Sequence, residues 1–429
     1  MAKKEVDIIS IYKTYKKRFL VGTELLTNNP SVETGLIITI PCYNEPNLID
    51  TLKSLSKCTP ANCIVEVLIF INASEDSPKD IKENNIKTFN EANSWIANNK
   101  LKWLKYYLTL ENELPTKHAG VGLARKTIMD EALARYSKIN YNGPIVCLDA
   151  DCKISTNYFS SIENSFNIEK WEVATLHYEH IWENLNNHRQ IEGIIQYELY
   201  LRYYIQALKQ IEYPYAYHTI GSSMAVKAST YALCGGMNKR KAGEDFYFLH
   251  KVFPQGKTTE ITDACVYPSS RESNRVPFGT GKAISKWLAN EGQFDTYDFQ
   301  SFIDLKSFFD QRIHLYECRS TNDYKGLIEH LPVSITDYLM HINFEKPLFK
   351  LIKETNSIAM FEKRFFHLWN GFTILKYLHY TRDNHYPNID LKKACHSLHL
   401  YMGKNNNTAN SYNVLLNEFR TMDRYLDNS

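Results

Sequence analysis

Gly35-Leu36-Ile37-Ile38-Thr39-Ile40-Pro41-Cys42-Tyr43-Asn44-Glu45 is the stretch on which the fold turns. Leu36 to Ile40 is a nearly continuous apolar, β-branched run, the pattern of a strand buried on both faces. Proline has no N–H for a ladder, so Pro41 is expected to end the strand. Leu48, Leu52 and Leu55 then recur at helical spacing, so a helix follows. A buried strand handing over at once to a helix opens a βαβ unit.

The pattern repeats downstream. Ile64 to Ile71 reads as a second buried strand that stops at Asn72-Ala73-Ser74, and a charged helical stretch leads to a third near Leu101 to Leu110. Val121, Ala124, Ile128 and Ala132 share one helical face, and Ile145 to Leu148 forms a strand ending at Asp149. Strands alternating with helices predict an α/β fold, a mostly parallel, Rossmann-like sheet flanked by helices. Beyond Thr175 the strands shorten, with Ser222 to Val226 and Thr258 to Tyr267 the clearest. After about residue 300 the strand signal vanishes. Leu415, Phe419, Met422 and Leu426 keep three- and four-residue spacing, and Phe361 to His379 looks similar. The expected organisation is a helical lead-in over 1–34, broken by Asn28-Asn29-Pro30-Ser31, an α/β domain over 35–299 and a helical region over 300–429.

Composition narrows the function classes. The 429 residues are 44% hydrophobic and 23% charged, with a formal net charge of +2, so no global field favours nucleic acid or an anionic membrane. The charged start, Lys3-Lys4-Glu5, does not suit a signal peptide, and no run approaches the ~18 apolar residues of a membrane span. Nine cysteines are scattered without a C-x-x-C pair, which favours reduced thiols and a cytoplasmic location over zinc or a disulfide framework.

Ligands of an open parallel sheet bind beyond the carboxyl ends of its strands. Three of the four expected strands end in polar clusters: Cys42-Tyr43-Asn44-Glu45, Asn72-Ala73-Ser74-Glu75-Asp76 and Asp149-Ala150-Asp151. Asp149 and Asp151, at i and i+2 in extended backbone, project to the same side. They offer hard oxygen ligands to Mg²⁺ or Mn²⁺, which would bridge a diphosphate; a turn with two solvated acids is the structural alternative. Gly243-Glu244-Asp245 precedes Phe246, Leu249 and Val252 at a helix start, where acids are favoured electrostatically. Asp245 also suits a general base that takes a proton from an acceptor hydroxyl, with Glu244 assisting. Arg125 and Lys126, following Gly120 and Gly122, suit either a phosphate or a solvated helix face. Arg271, Arg275, Gly279 and Gly281 lie in a late loop able to close over a diphosphate, although the loop is not a P-loop. His177, His180 and His218 are candidates for a further metal ligand or for structural hydrogen bonds. Tyr197, Tyr200 and Tyr204 fit a core stripe better than a sugar platform.

With these residues in place, Ile38 to Glu45 resembles the opening strand and loop of family 2 glycosyltransferases of the GT-A fold. The order of Gly120, Ala124 and Arg125, then Asp149 and Asp151, then Gly221 to Val226 with Gly235-Gly236-Met237, then Glu244 and Asp245, is similar to that family's. The resemblance covers roughly Gly35 to Gly281, leaving out both ends. It implies inverting transfer from a nucleotide diphosphate sugar donor to a sugar or glycan acceptor, with a divalent cation (Mn²⁺ or Mg²⁺). Pro41, Tyr43, Glu45 and the second strand's end would contact the nucleoside, Asp149 would lie near the ribose, Asp151 on the metal, and Asp245 would be the base. The family's usual aspartate pair at the second strand's end is replaced by Asn72-Ala73-Ser74, and the Q-x-x-R-W signature of processive members is absent. A nucleotidyltransferase would need a glycine-rich loop where Pro41-Cys42-Tyr43-Asn44-Glu45 stands, and a silent binding module would not need Asp149, Asp151 and Asp245 together. The C-terminal helices are left open to pairing subunits, holding the acceptor or touching a membrane surface, with a plain helical core as the default.

Overall fold

A computed structural model describes residues 6–20, 22, 24–183, 185, 187–271, 280–289, 292–404 and 411–425. The chain divides into two compact units. The first comprises Met1–Asn186, Thr219–Lys286 and Arg424–Ser429, and the second Asn187–His218 and Trp287–Asp423. These boundaries differ from the expected 1–34, 35–299 and 300–429, because the helix over His188–Gln210 packs on helices from beyond residue 298 and joins their core.

The first unit begins with helix α1 (Ile8–Arg18) and strand β1 (Thr34–Cys42), followed by α2 (Leu48–Ser56), β2 (Ile64–Ser74), α3 (Lys79–Asn98) and β3 (Leu104–Leu114). Helix α4 (Val121–Lys138) leads to β4 (Pro144–Cys147) and β5 (Lys153–Ile154), then α5 (Tyr158–Glu163) and β6 (Val173–Tyr178). The second unit takes α6 (His188–Gln210). The chain then returns through β7 (Met224–Lys227), α7 (Ala228–Leu233), α8 (Glu244–Val252) and β8 (Thr258–Tyr267).

One eight-stranded sheet results, in the order β3-β2-β1-β4-β7-β6-β8-β5. Parallel pairs are β1–β2, β1–β4, β2–β3 and β6–β8, while β4–β7, β6–β7 and β5–β8 are antiparallel. The α/β, mostly parallel, helix-flanked architecture is the expected one. Leu36, Ile37, Ile38 and Ile40 of β1 and Val65, Val67, Ile69 and Ile71 of β2 are all buried, as two covered faces require. One expectation is corrected: β1 does not stop at Pro41 but continues to Cys42, with Pro41 opposite Phe70. Thr39 accepts from the Leu148 N–H on the β4 side, and Pro41 points to that same side beyond the end of the β4 ladder. Its missing donor therefore costs no ladder bond.

In the second unit, α6 is joined by β9 (Asp295–Thr296), paired antiparallel with β10 (Ile389–Asp390), and by a series of short helices. Helix α9 (Thr280–Ala289) spans the division; α10 (Phe299–Asp310), α11 (Arg312–Glu317), α12 (Thr321–Ile328) and α13 (Val333–His341) follow. Then come α14 (Glu345–Lys353), α15 (Ile358–Leu368), α16 (Gly371–Asn384), α17 (Leu391–Tyr401) and α18 (Tyr412–Arg424). Its core is aromatic: Trp369 lies 4.9 Å from Phe308 and 5.8 Å from Phe309, ring centre to centre. Tyr200 stacks on Phe294 at 6.0 Å, so the tyrosine stripe of α6 is core. Among the described residues no helix is long and apolar enough to cross a membrane.

Candidate functional site

Because β2, β1 and β4 are parallel neighbours, their carboxyl ends leave the sheet along one edge. Strand β7 runs opposite to both β4 and β6, so β6 and its parallel partner β8 end along that edge too. The loop Asp149-Ala150-Asp151 follows β4 there. It is anchored by the Thr51 hydroxyl, which donates to the Ala150 carbonyl at 2.8 Å.

Two arginines organise the acids. Arg125 sits in the second turn of α4, whose N-cap is Gly120, and is only 4% exposed. Its Nη2 lies 2.5 Å from Asp149 Oδ1 and its Nε 3.2 Å from Glu244 Oε1. Helix α8 supplies Glu244 and Asp245 from its first turn, started by Gly243 at φ 67°, a left-handed conformation that glycine adopts without strain. The Asp245 carboxylate accepts from the Phe246 N–H at 2.8 Å and from the Gly221 N–H. A Cβ on Gly221 would sit 2.1 Å from Arg125 Nη1, so glycine is what admits the guanidinium. Burial pushes the Glu244 and Asp245 carboxyls up, and Arg125 opposes the shift without cancelling it. Each also feels the negative charge of Asp149.

The second arginine, Arg271, contacts Glu45 Oε2 and lies 3.2 Å from Asp151 Oδ2. Glu45 is buried, its Oε1 accepting from the Asn47 N–H at 2.8 Å. Asp149 faces one arginine and Asp151 the other, so this short loop joins both clusters. Acids from three distant segments, at Glu45, Asp149-Asp151 and Glu244-Asp245, thereby share one rim with Arg125 and Arg271.

Other expected residues go elsewhere. Asn72 is buried, and its amide nitrogen donates to the carbonyls of Cys42 and Phe70 at 3.1 and 3.2 Å, which turns it toward the backbone. Glu75 and Asp76 hold Thr116, by its N–H at 3.0 Å and its hydroxyl at 2.5 Å. Pro41 and Tyr43 are half-buried at the end of β1. Neither exposed-helix nor phosphate-facing geometry holds for Lys126, a correction: its Nζ is buried against Asp130 at 3.1 Å and the Tyr15 hydroxyl at 2.7 Å. A buried ammonium needs such partners, and α1 brings one of them. Arg275 lies outside the described residues.

The histidines separate. His218 lies 3.0 Å from Asp423 in the second unit, and His180 lies 3.1 Å from the Thr280 hydroxyl. His177, Glu179 and Cys265 place a ring nitrogen, a carboxylate oxygen and a sulfur within 4.8 Å of one another, a set able to hold a metal ion. Arg424 lies against it, 2.6 Å from Glu179 and 3.1 Å from His177. Neither Cys265 nor Glu179 carried a local motif, since β6 and β8 are far apart in sequence.

No family model matches the sequence, and no curated protein matches it. Solved structures do. A crystal structure of S. aureus TarS 1-349 in complex with UDP-GlcNAc is 12% identical, covers 75% of this chain and 91% of its own, and has a TM-score of 0.39. The same protein in complex with UDP gives 12% identity, 75% and 90% coverage and a TM-score of 0.38. GalNAc-T7 with UDP, GalNAc and Mn²⁺ is 14% identical over 55% of this chain and 44% of its own, with a TM-score of 0.34.

Proposed function

We propose that this protein is an inverting glycosyltransferase of the GT-A type, similar to family 2, moving a sugar from a nucleotide diphosphate sugar to an acceptor hydroxyl. The observation that carries the proposal is the gathering of Asp149, Glu244 and Asp245 around the buried Arg125, with Asp151 beside them at the sheet's carboxyl edge. Asp245 is the general base. Its raised pKa makes it a stronger proton acceptor than an ordinary aspartate, and Gly221 and Phe246 hold its carboxylate in place. Arg125 fixes Asp149 and Glu244, and the negative charge of Asp245 adds to the burial that raises the Glu244 carboxyl. Arg271, paired with Glu45 and Asp151, would offer a guanidinium to a diphosphate at the other end of the Asp149-Asp151 loop. Pro41, Tyr43 and Glu45 border the nucleoside position.

Two carboxylates supply hard oxygen donors, a set that fits Mn²⁺ or Mg²⁺ when diphosphate oxygens and water complete the coordination. Asp149 and Asp151 would hold such an ion, which supplies charge neutralisation to the departing nucleoside diphosphate. The reduced thiols of nine free cysteines accord with a cytoplasmic setting.

Asp245→Asn keeps the shape of the side chain and removes the base. We expect transfer to fall ~10²- to 10⁴-fold, with donor binding retained, in an assay of sugar transfer from nucleotide sugars. An undiminished rate would remove Asp245 from the mechanism.

A further inference from the structure

The helical second unit contains a cavity of ≈ 350 Å³, formed by the turn after α6, the α10–α11 junction and α15. That size lies at the low end of small-molecule sites. Phe309, Tyr215 and Phe366 line it; Phe309 is buried and the other two are half-buried. The rings of Phe309 and Phe366 lie 5.3 Å apart, centre to centre, and together form one aromatic surface. Beside it stands a built polar pair. Arg312 Nε donates to Glu362 Oε1 at 2.8 Å, while Arg312 Nη1 donates to the Phe309 carbonyl at 3.1 Å, which holds the guanidinium in place. Glu212 and Asp310 also line the cavity and share Lys306, at 2.9 and 3.3 Å.

Acids and bases nearly cancel here, so the cavity offers little attraction to a charged ligand. A wholly apolar ligand would strip water from Arg312 and Glu362 without replacing it. A pyranose ring suits both parts: its C–H face lies on aromatic rings, and its hydroxyls donate to carboxylates and accept from a guanidinium. We propose that this cavity is a saccharide-binding site that holds a neutral sugar of the acceptor glycan. The acceptor assignment rests on the glycosyl-transfer reading; the binding of a neutral pyranose does not.

The test is a titration of the full chain with D-glucose, D-galactose and N-acetylglucosamine, followed by saturation-transfer NMR, with open-chain sorbitol and phenol as controls. A ligand of this size is expected to bind with Kd on the order of 1 mM. At least one pyranose should bind, and Tyr215→Ala and Glu362→Gln should each raise its Kd fivefold or more. Glu362→Gln alters a partly exposed pair, so loss of binding there is not loss of fold. Failure of all three pyranoses to bind, equal binding by both variants, or binding of phenol alone would overturn the proposal. The same titration in Asp245→Asn separates the two readings: pyranose binding that persists while transfer is unchanged would sink the general base and leave the cavity standing.

Discussion

Gly221 lacks the one atom that would drive Arg125 off its acids. Placing a methyl there puts carbon 2.1 Å from Nη1, and Arg125 is too buried to swing aside. We expect Gly221→Ala to destabilise the fold by ~1–3 kcal/mol, as overpacking does, and to depress transfer by more than the stability loss explains. Chemical denaturation together with the transfer assay checks this; an unaltered denaturation midpoint and rate would mean that Arg125 is not clamped. At this scale the sequence shows residue types but not partners. Asp149, Asp151, Glu244 and Asp245 stood out because each follows a strand or opens a helix. Glu45 and Arg271, 226 positions apart, carry no local sign of their pairing.

Helix α1 was expected only as a lead-in, yet it reaches the core of the first unit. Tyr15 donates to Asp130 at 2.6 Å and accepts from Lys126 at 2.7 Å, and Tyr231 donates to the same Asp130 oxygen at 2.6 Å. Lys126 neighbours Arg125 on α4, so α1 braces the turn that carries the organising arginine. Tyr15→Phe should cost ~1–3 kcal/mol, because Lys126 and Asp130 lose a buried partner. Thermal melting reads this, and a melting temperature equal to wild type would show α1 to be a passive attachment. Strands β1 and β2 are legible because a doubly covered strand writes its burial as a continuous apolar run. The third strand, expected near 101–110, runs over Leu104–Leu114, because its half-buried, charge-bearing sequence blurs both ends. The burial of Lys126 has no local sign, because it depends on α1, over a hundred residues away.

In the molecule as a whole, each unit has its own buried charge centre. That of the second unit is Asp423, which accepts from Arg202, from Gln206 at 2.6 Å and from His218 at 3.0 Å. Glu198, fully buried, takes Arg202 at 2.9 Å and Arg420 at 2.7 Å. Burial by itself would raise the Asp423 carboxyl, but Arg202 and His218 outweigh it and hold the group well below the usual aspartate range. A depressed folded-state pKa gives stability that is present above the unfolded value of ~3.9 and is lost as pH falls toward the folded one. Asp423→Asn should therefore cost ~3–5 kcal/mol at neutral pH and make the acid loss of stability shallower below pH ~4. Denaturation across pH checks both parts, and an acid slope matching wild type would contradict them. The α/β and helical divisions were legible from periodicity; the assignment of α6 to the helical unit was not, because it depends on which distant helices cover its apolar face.

In the proposed function, acids scattered along the chain form one cation-assisted diphosphate site. The most direct measurement is the thermal shift of wild type and Asp151→Asn against a panel of nucleoside diphosphates and nucleotide sugars, with and without Mn²⁺. Binding at a hundredfold excess over Kd stabilises by ~2.7 kcal/mol. We expect one nucleotide to raise the melting temperature of wild type in an Mn²⁺-dependent way, with the Mn²⁺-dependent part lost in Asp151→Asn. No shift with any member of the panel, or an equal Mn²⁺-dependent shift in the variant, would contradict the site.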